Sequence, residues 1–325
     1  MEVAFGEWLL SVVSQAGQDF FNMQKRVSVW YILSAILFAW LLLGLRYGRQ
    51  VKARMATLFS PQIWWHSSAR MDYGVFLLNR FVMALLIPLL PTKIILTSWV
   101  FFQSHQWFGS FQSFSLPTPW VIASFTFCYF IVDDFSRFYL HRLLHKWPIL
   151  WAFHSVHHSA QVMTPMTVFR THPIEGVLFF LRSLVVQALC IGVFVFLFPN
   201  QVSLYTVFSV SIFTYFFNLL GANLRHSHVS ISYGRTLEKV FISPAQHQRH
   251  HSSSVKDYDC NFGVVLAIWD RFFGSLRFGH DDQKITFGTQ TVLDKASFVG
   301  LYILPCKNAG RQLIEPFKAL WRKRV

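Results

Sequence analysis

Charge is what this sequence has least of. Only 14% of its 325 residues are Asp, Glu, Lys or Arg, against roughly 25% in an average soluble domain. That shortage excludes an ordinary water-soluble globular protein. Disorder is excluded from the other side, because 53% of the residues are hydrophobic and the mean hydropathy is +0.38. So much apolar surface does not stay solvated. Cysteine is also sparse. Cys128, Cys190, Cys260 and Cys306 form no CxxC pair, so no disulfide framework is expected. A basic n-region is missing, since Glu2, Glu7 and Asp19 stand where it would be, and no cleavable signal peptide is expected. There is no solenoid repeat, no low-complexity linker, and no flavin, nicotinamide or haem-domain fingerprint.

Acids are the scarcer sign of charge, 15 against 29 Lys and Arg. The bases flank apolar runs. Arg46, Arg49, Lys52 and Arg54 follow one directly, and Lys318, Arg322, Lys323 and Arg324 come late in the chain. This pattern fits the positive-inside rule and anionic lipid headgroups better than a nucleic-acid face. No nucleic-acid partner is expected.

A spanning helix needs about 20 mostly apolar residues. Trp30–Leu45 is one candidate. Val75–Phe102 reads as a span to Leu90, then a kinked or re-entrant piece from Ile94, because Pro88 and Pro91 interrupt it. Trp120–Val132 begins a third span. Gly176–Phe198 and Val202–Gly221 read as a hairpin turning at Pro199-Asn200. The fold class is therefore an all-α integral membrane protein with about four transmembrane helices. The Arg46–Arg70 loop holds five bases and no acid, which places it on the cytoplasmic side. Residues 133–175 and 222–325 then share that side as a helical cap, and they hold twelve of the fourteen histidines. Residues 312–324 put Leu313, Ile314, Phe317, Leu320 and Trp321 on one helical face, which suits either a membrane surface or packing on the cap.

Three histidine clusters carry the chemistry: His141-x-x-x-His145, His154-x-x-His157-His158 and His247-x-x-His250-His251. Positions i, i+3 and i+4 share one helical face, so each cluster presents its imidazoles in one direction. Pro148 separates the first two clusters and starts a new helix. Ser243-Pro244-Ala245-Gln246 reads as an N-cap, a Pro at N1 and a capping-box Gln. His226 and His228 are spaced poorly for one face, and His226 is favoured as the ligand. His172 reads as a structural histidine. One tetrahedral metal takes three or four ligands, so this many imidazoles imply two metals. Ligand type alone does not choose among Fe, Zn, Cu and Ni. A metal transporter or metal-binding membrane protein is the rival reading, but it would place ligands inside the spans, and the spans contain no histidine.

Several stretches together resemble the fatty acid hydroxylase / sterol desaturase superfamily. The longest runs from Phe138 through His141, His145, Trp151 and His154 to His157-His158-Ser159. Others are Arg170-Thr-His172-Pro, Asn223-Leu-Arg-His226-Ser-His228, His247-Gln-Arg-His250-His251, and Asn261-Phe-Gly263 with Trp269-Asp270 to Gly274. The resemblance covers roughly residues 130–279. It implies a membrane di-iron oxygenase acting on sterols, fatty acyl chains or related lipids, with O2 as co-substrate, yielding an alcohol or an alkene. The family's ligand positions fall on His141, His145, His154, His157, His158, His226, His247, His250 and His251. Electrons would come from a separate cytochrome b5-like or ferredoxin-like donor with its reductase. The expected membrane is the bacterial inner membrane or the ER, with the active site cytoplasmic. The expected division is a membrane region at 1–127, a catalytic domain at 128–280 that includes the hairpin at about 176–221, and a tail at 281–325. Asp133, Asp134, Glu175, Asp257, Asp259 and Asp270 are candidates to orient the ligating imidazoles.

Overall fold

A computed structural model describes residues 2–23, 25–109, 116–199, 201, 211–281 and 284–322. Among them there is no β-strand, only isolated bridges at Phe241–Leu266 and Ser252–Phe287. The expected all-helical class is observed. The longer helices are α1 (Glu2–Gln18), α2 (Val29–Tyr47), α3 (Ser67–Leu86), α4 (Lys93–Phe108), α5 (Thr118–Lys146), α6 (Pro148–His158), α7 (Pro173–Leu197), α8 (Ser211–Leu219), α9 (Pro244–His250) and α10 (Gly300–Arg322).

Helix α2 shows how the apolar stretches are used. Tyr31, Ala35, Ala39 and Leu43 recur every fourth residue and are buried. The last three of them pack on Leu224, Val229 and Ile231 near the histidines. The opposite face exposes Leu33, Leu37, Trp40 and Leu41. A contiguous apolar face of this kind is disfavoured in water and suited to lipid. Three helical stretches are long and apolar enough to cross a membrane: Val29–Trp64, Ser67–Phe108 and Pro173–Leu197. The second breaks as its prolines require. Ile87–Leu89 tightens into a 3-10 turn, Leu90 is extended, and the Thr92 side chain caps α4. Helix α7 packs closely on α4 because residue 192 is glycine; a Cβ there would lie 2.7 Å from Val100 Cγ1.

The expected span Trp120–Val132 is the apolar first half of α5. That helix has 29 residues and is roughly 43 Å long, more than the ~30 Å of a hydrocarbon core. Its last two turns carry His141 and His145, and it is not among the three stretches long and apolar enough to cross a membrane. The expected span Val202–Gly221 falls largely outside the described residues, although Ser211–Leu219 is helical. Helix α10 packs on α6, with Ala309 against Ala152 and Phe153, and Leu301 joins Val75 and Val156. For residues 312–315 of the expected amphipathic stretch, Leu313 and Ile314 are exposed.

Candidate metal centre

Four elements bring the histidines together. The C-terminal turns of α5 supply His141 and His145. Trp147 is extended, and Pro148 at the first position of α6 restarts the helix, which returns His154, His157 and His158 toward α5. The 3-10 turn Ala222–His226 supplies His226. Helix α9 begins with the expected capping box: Ser243 accepts from Gln246 N, and the Gln246 side chain accepts from Ser243 N. It supplies His247, His250 and His251.

All nine expected ligand positions fall in two adjoining groups. His141, His145, His154, His158 and His250 form one; His157, His226, His247 and His251 form the other. Within each group one nitrogen per ring lies within 4.8 Å of the others. The rings of His158 and His251 stack at 4.3 Å where the groups meet. The clusters do not each point one way, as the spacing alone implied. Residues i and i+4 differ by about 40° around a helix, whereas i+3 sits about 100° from i+4. Thus 141/145 and 154/158 join the first group and 247/251 the second. His157 and His250, the i+3 members, cross to the opposite group.

Eight of the nine rings are buried and His145 is partly so. Burial drives their pKa values down, to about 3 for His154 and about 4 for His157, and well below the ordinary value for the rest. Neighbouring imidazoles reinforce the effect at most of them. The rings are therefore neutral at pH 7, the form that ligates metal.

The first group has its ring orientations set by acceptors. His141 Nδ1 donates to Phe262 O at 2.8 Å, His250 Nδ1 to Cys260 O at 2.7 Å and His154 Nδ1 to Glu175 Oε1 at 3.0 Å. This tautomer turns each Nε2 lone pair into the group. Nε2 of His145, His154, His158 and His250 has no protein partner, and neither nitrogen of His251 has one. Buried polar atoms left this way are costly, and a shared cation would satisfy them. In the second group, Nε2 of His226 lies 3.3 Å from that of His157 and 3.2 Å from that of His247. Two nitrogens each about 2.1 Å from one ion lie at about this separation. The residues fit two metal ions held by imidazole alone.

The remaining histidines do other work. His172 caps α7, accepting from Ile174 N, and its other nitrogen meets Tyr302 O. His228 accepts from Met163 N and lies outside both groups. His66 caps α3. Of the six acids expected near the ligands, Glu175 alone is hydrogen-bonded to one of the nine candidate ligand rings. Asp270 acts one step back: it accepts from Phe262 N, Gly263 N and Ser275 Oγ and so holds the peptide whose carbonyl orients His141. Gly263 permits this approach, since a Cβ would lie 2.8 Å from Asp270 Oδ2. Asp134 accepts from Val265 N, Leu266 N and the Trp269 indole, tying the same loop to α5. Asp133, Asp257 and Asp259 instead pair with Arg137 and Arg182, Arg249, and Lys146.

Sequence reasoning missed the orienting carbonyls of Phe262 and Cys260, because a main-chain oxygen has no letter. It also missed Gln248, whose amide nitrogen meets the carbonyls of Leu224, Ser227 and Val229 and fastens the His226 segment to α9. Its position inside the third cluster was the available signal. In the sequence Arg170 stands out only as part of Arg170-Thr-His172-Pro. It is buried and bonded to Val156 O, Ser159 Oγ, Ser68 O and Asp72, which clamps the end of α6 beside His157 and His158.

Residues 126–275 match the sequence model of the fatty acid hydroxylase family. The chain is 28% identical over 221 residues to a human alkylglycerol monooxygenase, covering 67% of this chain and 43% of that protein. It is 26% identical to an ornithine lipid hydroxylase of Rhizobium tropici, over 66% of this chain and 57% of the relative. It is 31% identical to a Delta(7)-sterol 5(6)-desaturase of Gibberella zeae, over 49% of this chain and 43% of the relative. The chain thus spans about half the length of the curated relatives it matches. No solved structure gives a significant match.

Proposed function

From the premise that residues 126–275 belong to the fatty acid hydroxylase family, we propose that the protein is an O2-dependent di-iron oxidoreductase. Its substrate is a membrane lipid, hydroxylated or desaturated at an unactivated C–H position. The observation that carries this reading is the pair of adjoining all-imidazole groups. His141, His145, His154, His158 and His250 hold one iron, and His157, His226, His247 and His251 hold the other. Bound iron supplies the reduction of O2 and the cleavage of a C–H bond, steps no side chain performs by itself.

The chain's own residues position and insulate. The Phe262 and Cys260 carbonyls and the Glu175 carboxylate each fix an Nδ1–H, which aims the opposite nitrogen at the metal and raises its basicity. Trp151 and Phe262 lie against the His145 ring at 5.0 and 5.1 Å and keep water from that side. The apolar helices give a lipid substrate a route to the cap. A lipid substrate agrees with the names of the relatives, which act on alkylglycerols, ornithine lipids and sterols.

Electrons come from a separate cytochrome b5-like or ferredoxin-like protein with its reductase. The basic balance of the chain suits an acidic donor. Turnover of the purified protein with NAD(P)H alone would overturn this part. The cap faces the cytoplasm from a bacterial inner membrane or the ER, with about four crossings. Residues 128–280 form the catalytic domain, between a membrane region at 1–127 and a tail at 281–325.

Metal analysis of the purified protein tests the centre, with about two iron ions per chain expected and a single zinc overturning it. Lipid profiling under 18O2, with and without the active protein, identifies the product. A lipid that gains 18O marks a hydroxylase, and one that only loses two hydrogens marks a desaturase. An unchanged profile with iron bound would sink the oxygenase reading.

A further inference from the structure

A second concavity lies on the other side of α9. His247, His250 and His251 face the metal groups, while Arg249, two residues from His247 and so about 200° around the helix, faces a cleft of about 670 Å3. The cleft is framed by the segment after α9 and by residues 284–287, which are joined by the Ser252–Phe287 bridge and the Ser253 N to Thr286 O bond of 2.9 Å. Its lining is polar and cationic. Arg249, Lys256, His280 and Lys284 all contribute, with hydroxyls from Ser254 and Thr286. Among the described lining residues the one acid, Asp257, is already paired with Arg249 at 2.7 Å. Lys256 and Lys284 are thus left as excess positive charge around a hydroxyl-lined hollow. An anionic, hydrogen-bond-accepting group such as a phosphate fits that chemistry.

The position of the cleft selects the source of the phosphate. His280 O accepts from Ser230 Oγ. The next residue, Asp281, is held by Arg46 at 2.7 Å and by the Tyr47 hydroxyl at 2.9 Å. Arg46 and Tyr47 end α2, the start of one of the three stretches able to cross a membrane. The cleft rim is therefore fastened to the end of a helix able to cross a membrane, where the headgroups of a bilayer would lie. Basic pockets at that depth bind anionic headgroups.

We infer that this cleft binds the headgroup of an anionic phospholipid, at a site separate from the metal centre. The occupant would press the cap onto the bilayer through the wall that carries His247, His250 and His251. The inference stands on the cleft alone and does not require the oxygenase reading.

The test uses full-length protein in phosphatidylcholine nanodiscs containing a minor share of phosphatidylglycerol, with co-purified lipid measured by mass spectrometry. The wild type should enrich phosphatidylglycerol over phosphatidylcholine, and Lys256→Glu with Lys284→Glu should lower that enrichment about tenfold. Lys307→Glu, on α10 away from the cleft, should leave it unchanged. Metal content, measured on every variant, should stay at the wild-type level, which separates loss of this site from loss of the fold or of the metal centre. Enrichment that survives the double substitution overturns the inference. So does binding of soluble glycerol phosphate without any lipid enrichment, which would make the ligand a free phosphoester.

Discussion

In the group of five imidazoles, His141, His250 and His154 each have Nδ1 held by a named acceptor, two main-chain carbonyls and the Glu175 carboxylate. In the group of four, Nδ1 of His157, His226 and His247 meets no protein acceptor, and His251 has no partner on either nitrogen. The same ligand type, in the same buried setting, is thus supported in two ways. On the di-iron reading, three rings of the first group would be oriented before metal arrives. The second would be oriented largely by the metal itself, with more ordering to be done on binding. The two sites should differ in affinity although their donors are alike.

The largest test of that contrast removes one ligand from each group. His250→Ala and His157→Ala should each lose the metal of its own group and cut turnover by more than the roughly 10–100-fold typical of outer-shell partners. Iron counted per chain in both variants checks this. If either substitution empties both groups, the two sites act as one unit and the comparison fails. Graded chelation of the wild type comes next in size. Iron should leave in two phases, with the four-imidazole group first. The two can be told apart because His250→Ala, keeping only that group, should show the fast phase alone. A single phase in the wild type would contradict unequal support.

Glu175→Gln probes the one carboxylate that touches a candidate ligand ring. A neutral amide keeps the shape but gives up charge on the His154 Nδ1–H bond, and a 10–100-fold loss in metal affinity is expected. It should appear in the slow phase of chelation only. Asp270→Asn should be milder. An amide cannot accept at both oxygens from Phe262 N, Gly263 N and Ser275 Oγ, which should destabilise the fold by about 1–3 kcal/mol. A lower Tm with faster release from the five-imidazole group is the expected pair of readings. Equal loss from both groups would mean that Asp270 supports the cap generally.

What was legible beforehand follows from what side-chain spacing can encode. Periodicity and charge marked the apolar helices α2, α3 and α7, the Pro148 break and the Ser243–Gln246 cap, and these are observed; the expected span at 202–221 lies largely outside the described residues. Eight of the nine imidazoles stood out by their i, i+3 and i+4 spacing, while spacing did not decide His226, which the family resemblance supported. Their division between two groups was not legible, since it depends on how α5, α6 and α9 are rotated against one another. The supports were harder still. Phe262 O and Cys260 O lie on a loop whose path is set by Asp270, Asp134 and Asn261, the last with a left-handed φ of 53° that Asn tolerates better than most residues. Only the finished fold shows that this loop passes under His141 and His250.

The smallest expected effect concerns His228, which the spacing argument left beside His226 as a competitor for the same ligand position. The structure separates them. His226 ends a 3-10 turn with its Nε2 in the four-imidazole group, and Ser227 is extended. His228 then lies against Phe287, with Nε2 accepting from Met163 N at 3.1 Å. A nitrogen that accepts from a main-chain N–H has committed the lone pair a metal would need. His228→Gln retains an acceptor near Met163, so the cost should be at most about 1 kcal/mol, with iron content and both chelation phases unchanged. His226→Gln should lose the fast-releasing iron. If the two substitutions give the same result, His228 belongs to the weaker group, and that group has as many ligands as the stronger one.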